Sequence, residues 1–508
     1  MNRLPRSGHP QRRWRWQCWA LAPVLGLGVA LPAWPQGLDV VPTLNLTETI
    51  TIRDGGSGGS NKSDAVTQVS PGISITSRRG PLQGNLSYAA NATVHARESS
   101  RNAVYHSLAS SGKYSILDGR VGFDASASAS QQVISAFGTQ SADPSISSEN
   151  QAQTFSYSLS PYLSGRLLGE TTYQARLNYT ASRSDAGSLG DSASLLSLVS
   201  LSGRFSTLGW GLTGSRQVSE SGDRPRSHTG QVVGSLSYSP DFDWQMAIRA
   251  GWEVDDVRTG QSDGTVTWGA SVAWSPGPRT SVNLNYDKRY FGDSHAVTFS
   301  HRTARTVWTL SDSRTAQVTG GLTRAEVSNY DLYFSMFASM EPDPVLRDAL
   351  VRNFLAANGL NPAATVVVGG LLTSTPTVQR QQVAALAYQG LRATLTVLAS
   401  FSKTKRLSAV NVANDDLSTV DQVRQRGLSV SLSHRLTPQS SMGLTLSQQT
   451  TPNAGAVSGN RLRSIAGNWQ SRLGQHANLS LGLRYSDFDA DTSPYQELAI
   501  IGTLGLRF

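Results

Sequence analysis

From Phe242 the chain alternates. Phe242, Trp244, Met246, Ile248, Ala250, Trp252 and Val254 are apolar, and Asp243, Gln245, Ala247, Arg249, Gly251 and Glu253 between them are polar or small. A period of two sends the two sets to opposite faces of a β-strand. The pattern returns at Val266, Trp268, Ala270, Val272 and Trp274, at Met442, Leu444 and Leu446, and at Leu479, Leu481, Leu483 and Tyr485. Ten residues at ~3.3 Å each, tilted near 45°, cover roughly 24 Å, which is the height of the apolar band of a transmembrane barrel. Small Gly, Ser, Thr and Asn on the other face suit a wet interior, and Trp or Tyr near strand ends suits interfacial girdles.

The connections sharpen this. Short turns are predicted at Gly80-Pro81, Asp118-Gly119, Ser164-Gly165, Leu208-Gly209, Pro240-Asp241, Pro276-Gly277-Pro278, near Thr303, and at Gln389-Gly390, Thr437-Pro438 and Gly474-Gln475. Longer polar stretches fall between them, from 54–63 to 488–494. The alternation predicts an all-β fold, a transmembrane antiparallel β-barrel of about 22 strands (range about 18–24), with both chain ends on the short-turn side. At the C-terminus Leu498, Ile500, Gly502, Leu504 and Leu506 alternate up to Phe508. A last strand closing on an aromatic residue looks like the signal read by the outer-membrane barrel insertion machinery, carried here by Leu504, Leu506 and Phe508.

Composition narrows the alternatives. Charged residues make up 16% of the 508, below the roughly 25% of soluble proteins. After the N-terminus the longest uncharged apolar stretch, Ala363 to Pro376, is too short for a spanning helix of about 20 residues. The net charge is +9, but Arg3, Arg6, Arg12, Arg13 and Arg15 supply five of those charges. The other cations are scattered, so no nucleic-acid partner is expected. The five arginines precede the apolar run Cys18 to Ala33, and residues 1–36 read as a cleaved secretory signal ahead of a barrel over 37–508. Cys18 is the one cysteine, so the mature chain has no disulfide or thiolate metal site.

One long stretch, 324–376, breaks the period. Asp343-Pro344 can start a helix and Asn358-Gly359 can end it, which places a helix near 344–357 in a long extracellular loop. Leu346, Ala349, Leu350 and Phe354 share one face, with Arg347, Asp348 and Arg352 elsewhere, and Tyr330, Tyr333, Phe334 and Phe337 could pack the apolar side. The loop is either an external ornament or a constriction folded into the mouth; Leu346, Arg347, Leu350, Arg352 and Phe354 are its candidate gate residues. Candidate lumen-lining residues are Arg249, Glu253, Asn283, Asn285, Asp287 and Arg484, of both signs, which predicts mixed wall chemistry without sharp charge selectivity.

Catalytic signatures are weak, and no enzyme, metal or cofactor is expected. Gly55-Gly56-Ser57-Gly58-Gly59 fits the spacing of a nucleophile elbow but sits in a Gly/Ser loop rather than a strand-to-helix turn. The histidines are dispersed and form no metal-binding pair on a helix. Glu48-Thr49-Ile50-Thr51-Ile52 resembles an energy-coupling box, yet strand alternation begins there almost at once, and the segment reads better as the first strand.

Several stretches resemble the outer-membrane proteins associated with PEP-CTERM and exosortase systems. They are Ser63 to Gly72 (SDAVTQVSPG), Trp274 to Ser281 (WSPGPRTS), Tyr290-Phe291-Gly292, Ser300 to Thr303, Asp343 to Arg347 and Phe354 to Leu360. The resemblance spans nearly all of the chain after the signal. It implies an outer-membrane barrel in a bacterium whose exopolysaccharide and protein-sorting genes lie together, and it carries no catalytic residues. The expectation is a passage for exopolysaccharide or other polar envelope material, with outer-membrane lipid, the insertion machinery and exopolysaccharide as partners. A matrix-anchoring barrel with a closed lumen is the alternative, and a barrel hydrolase the third.

Overall fold

The structure, a computed structural model, describes residues 37–508 apart from 55–61, 78–79, 144–149, 168, 188, 223, 320, 324–326, 329, 331–332, 335–336, 338–346, 349, 353–354, 356–364, 367–369 and 409–414. The predicted signal over 1–36 and the Gly55 to Gly59 motif lie outside the described residues. Twenty-two antiparallel strands form one sheet, numbered β1–β22 in chain order. The sheet closes where β1 (Leu38–Asp54) pairs with β22 (Tyr495–Arg507), in register from Thr43 opposite Arg507 to Asp54 opposite Gln496. Glu48 to Ile52 lies within β1, as a first strand should. Strand lengths run from 10 residues in β13 (Thr280–Arg289) to 17 in β1. About ten tilted residues span the apolar layer, so the surplus projects beyond it.

Alternation sorts the residues as the period requires. In β11 (Trp244–Asp255), Ile248 is 63% exposed on the outer wall whereas Glu253 is 1% exposed on the inner one. Leu428, Leu432, Leu444, Ile465, Leu481, Ile500 and Ile50 continue the apolar exterior round the ring. A closed antiparallel sheet satisfies every ladder hydrogen bond internally, and that is what permits strands to cross a bilayer. The even strand number, apolar exterior and short-turn termini make this a barrel of the bacterial outer membrane, with the short turns facing the periplasm.

Three predicted turns move, and at one of them Pro276 and Gly277 stay in their strand while the chain reverses at Pro278-Arg279. Ser164 and Gly165 lie inside β6 (Gln151–Arg166), and the chain reverses around Gly169, whose φ of 70° is left-handed. Gly165 stays extended because the Tyr173 ring occupies the space a side chain there would need. Leu208 and Gly209 open β9 (Leu208–Ser221), after a two-residue turn at Ser206-Thr207 with Ser206 at φ 55°. The predicted loop at 289–293 contracts to the two residues Tyr290-Phe291, between β13 and β14 (Gly292–Arg302). Pro71 and Pro161 fall within β2 (Lys62–Ser77) and β6, and the ladders of β2 with β3 (Leu82–His95) and of β6 with β7 (Thr172–Ser184) skip the positions beside them, as the missing N–H demands.

The two faces make opposite predictions. Ile500→Arg, on the lipid side at mid-height, should lower unfolding free energy by roughly 2–4 kcal/mol, and Thr503→Arg, on the inner face of the same strand, by under about 1 kcal/mol. Urea titration of the protein refolded in lipid vesicles checks both values, and equal losses would contradict this assignment of faces.

Candidate functional site

The lumen is the candidate site, and its wall begins with pairs of charges. Arg249 (β11), Gly269 (β12, Asp263–Gly277) and Asp287 (β13) stand opposite one another in register. A side chain at Gly269 would overlap the Asp287 carboxylate; without one, Arg249 Nε donates to Asp287 Oδ1 across the gap at 3.0 Å. Glu253 accepts from Arg289 Nε at 3.0 Å and from the Tyr290 backbone N–H at 3.2 Å, which fixes the tight β13–β14 hairpin. Asn283 and Asn285 take alternate positions on the same face of β13 as Asp287. Arg484 stands apart, on β21 (Ala477–Ala490). It donates to Asp143 Oδ2 at 2.8 Å and to Glu497 Oε1 at 3.1 Å, while Glu497 also accepts from Arg53 of β1 at 2.6 Å. Each charged lining residue foreseen from the sequence is thus held in an ion pair. Their partners Arg289 and Glu497 were missed, although strand parity places both on the inner face.

Loops fill the extracellular mouth. The stretch between β5 (Val121–Val133) and β6 carries Asn150, whose side-chain amide donates to the Ser135 and Thr139 carbonyls at 2.9 and 3.1 Å. This loop reaches the far wall, where Asn460 donates to the Ala136 carbonyl at 3.0 Å and Tyr495 to the Gln140 carbonyl at 2.7 Å. A helical turn, Asp416–Thr419, meets it: Asp416 accepts from the Ser135 hydroxyl and the Ala136 N–H, both at 2.7 Å. Neighbouring Asp415 accepts from the Thr373 hydroxyl at 2.6 Å and the Ser374 N–H at 3.0 Å. Ser374 in turn touches Ser221 at 2.8 Å, seven strands round the ring from the strand it precedes. Ala136, Leu371, Leu417 and Val423 close an apolar knot beneath these contacts.

The long loop joins β15 (Thr306–Gln317) to β16 (Thr377–Gln389). Gly321–Thr323 pairs with Leu371–Thr373, and Val327–Ser328 with Thr365–Val366. Beyond these short ladders the loop descends inside the barrel. Tyr333, Phe337, Val351 and Leu355 are buried against Val307, Ala385, Ala387 and Leu398 of the inner wall, and Tyr333 Oη lies 2.6 Å from Thr396 Oγ1. Val307, Ala387 and Thr396 all belong to the periplasmic ends of their strands. A segment launched from the extracellular rim therefore lies along the wall down to the opposite end.

Arg347, Asp348, Leu350, Val351, Arg352 and Leu355 are helical. The apolar side differs from that foreseen: Leu350 is 38% exposed, and Val351 with Leu355, one turn apart, takes the wall. The wall approaches the helix from that side, so the i, i+4 pair with the largest shared contact is the one buried. Arg347 stacks 4.7 Å from the Phe334 ring and Arg352 5.0 Å from the Tyr330 ring, with Arg352 Nε donating to Asp348 at 2.8 Å. Leu346 and Phe354 lie outside the described residues. Leu504 and Leu506 occupy the outward alternation of β22, beside Leu46 and Leu44 of β1, and the Phe508 N–H closes on the Pro42 carbonyl at 3.0 Å. Among the described residues no cluster of His, Asp and Glu could hold a metal.

No protein-family model matches the sequence, and no curated protein matches it. Solved structures that it resembles are large barrels. The FrpB iron transporter of Neisseria meningitidis shares 12% identity at a TM-score of 0.46, over 93% of this chain and 83% of that one. The siderophore receptor PirA of Pseudomonas aeruginosa shares 9% at 0.41, over 92% and 80%. The outer membrane protein opdK of Pseudomonas aeruginosa shares 11% at 0.31, over 92% and 99%. The likeness is one of fold alone.

The cap carries a pH prediction. Burial pushes the Asp416 carboxyl above its ordinary 3.8, against the opposing hydrogen bonds from Ser135 and Ala136. A closed cap then holds this proton more tightly than an open one, so closure is favoured most below the ordinary value and weakens as pH rises through the raised one. Bilayer conductance should increase with pH across that window, and Asp416→Asn should flatten the response; a wild type insensitive to pH there would contradict closure through the Asp416 contacts with Ser135 and Ala136.

Proposed function

We propose that the barrel is a gated passage for polar envelope material across the outer membrane, with the in-folded segment between β15 and β16 as its gate. One observation carries the reading: the aromatic and helical residues Tyr333, Phe337, Val351 and Leu355 of an extracellular loop occupy the inner wall down to its periplasmic end. A ring of 22 strands encloses a wide lumen, and a loop lying inside it narrows that lumen without any change in the wall. Exopolysaccharide is the cargo supported by the resemblance to the PEP-CTERM and exosortase-associated outer-membrane proteins, and the C-terminal strand ending in Phe508 is the edge the insertion machinery would read.

The interlocked mouth favours a second reading, a matrix-anchoring barrel whose lumen never opens. Planar-bilayer conductance of the refolded protein separates the two. Removing 324–364 should convert a silent or small channel into stable steps of larger conductance. A Tyr333→Cys/Thr396→Cys pair, introduced into a barrel with no cysteine of its own, should hold the segment on the wall when bridged by a bifunctional methanethiosulfonate reagent, whose span replaces the tyrosine ring, and release it on reduction. Silence of the deletion variant, in protein shown to be inserted and folded, would leave the anchoring role.

A further inference from the structure

The arginines of the lumen divide into two populations. Those in the wall and towards the extracellular side are neutralised: Arg53 and Arg484 on Glu497, Arg176 on Asp124, Arg249 on Asp287 and Arg289 on Glu253. At the periplasmic mouth the arrangement reverses. A cavity of about 1250 Å³, lined by Asn45, Gln68, Asn91 and Asn478, is bordered at the turns by Arg435, Arg507 and His476. Arg120 and Arg166 border a second cavity, of about 580 Å³, together with Gln174, Ser200 and Ser202. Arg279, Arg302 and Arg305 border a third, beside Phe337 of the in-folded segment. Asp118 is the one carboxylate among the residues lining the three.

Strand parity explains why these side chains gather on the inside. Arg166, Arg302, Arg435 and Arg507 fall on the lumen-facing alternation at the periplasmic ends of β6, β14, β18 (Gln422–Arg435) and β22. Among the described residues, Arg120, Arg166, Arg279, Arg302, Arg305, Arg435 and Arg507 take part in no ion pair within 4.0 Å. A guanidinium keeps its charge at any physiological pH and presents planar paired donors that match a carboxylate or phosphate. Spread round a mouth, such groups suit a ligand that repeats its charge along its length, because a chain held at one site meets the next at high effective concentration.

We infer that the periplasmic mouth is a binding site for a polyanionic chain, a polymer bearing carboxylate or phosphate groups, which it collects from the periplasm. The inference rests on the passage reading for its purpose and deepens it by assigning the charge class of the cargo. Inner-leaflet lipid headgroups are the competing anion, and the inward parity of the arginines argues against them.

The test uses the full chain refolded in detergent, with oligogalacturonate as the probe, neutral dextran of similar length as control, and calorimetry as the readout. Oligogalacturonate should bind with an affinity that falls steeply with salt, and dextran should not bind. Arg302→Gln/Arg435→Gln/Arg507→Gln should weaken oligogalacturonate by about ten-fold or more, since charge-assisted hydrogen bonds are the strong ones. The matching triple Lys variant, which keeps the charge, should stay within a few-fold and shows that folding is intact. Equal binding of dextran would overturn the inference. So would Gln variants that keep their oligogalacturonate affinity, whether or not they lose phosphatidylglycerol. Conductance is read separately: a 324–364 deletion that stays silent while oligogalacturonate still binds removes the passage and leaves the site. An open deletion channel with no anion preference and no block by oligogalacturonate from the periplasmic side removes the site and leaves the passage.

Discussion

Inside a bilayer each backbone N–H and C=O has to find its partner within the protein. For a chain whose apolar residues recur every second position, a sheet with no free edge meets that demand, and the pairing of β1 with β22 supplies the closure. Everything else is arranged around this ring. Once it is closed, the outer wall belongs to lipid and takes Leu, Ile, Val and Trp. The inner wall belongs to water and takes Ser, Thr, Asn and Gln, with charges paired within the wall, as Arg249 is with Asp287 and Arg289 with Glu253, and guanidinium groups without an ion pair at the periplasmic rim.

Closure by 22 strands also creates a difficulty, because the ring is too wide for its own side chains to fill. Three loops of different origin enter it. They meet at Asp415 and Asp416, two adjacent carboxylates that serve different neighbours: one accepts from Thr373 and Ser374, the other from Ser135 and Ala136. The mouth is thus tied by a few hydrogen bonds at one point, and the in-folded segment beneath it is held by apolar contact along the wall. A tie of the first kind responds to acidity and a contact of the second kind does not, so the two ends of the lumen are governed by different physics.

The sequence carried the wall almost completely. Period-two alternation, turn chemistry and the spacing between turns specify strand number and the direction each side chain faces, because those depend on local backbone geometry. Gly165 shows the limit: its turn propensity loses to a tyrosine on the neighbouring strand that packs over it. The lumen was half legible. Arg249, Glu253 and Asp287 could be placed by parity, but the Arg249–Asp287 pair depends on an empty position at Gly269 between them. The depth reached by Tyr333 and Phe337, and the side of the helix that faces the wall, depend on contacts between residues far apart in the chain. The arginines of the periplasmic mouth looked scattered because the chain returns to that end about once every hairpin; read one turn at a time, they are a recurrent feature.

The network from Asp143 through Arg484 and Glu497 to Arg53 joins a loop that follows the fifth strand to the seam made by the first and last. Its central residues belong to β21 and β22, as does Tyr495, which holds the same loop. During synthesis and insertion the loop therefore has Asp416 and Asn460 to grip, but lacks its contacts with Arg484 and Tyr495, until the final hairpin has been added. The cap gains its full set of ties only on a completed cylinder, so a partly built barrel is capped incompletely, and the finished mouth is itself a record that the wall has closed.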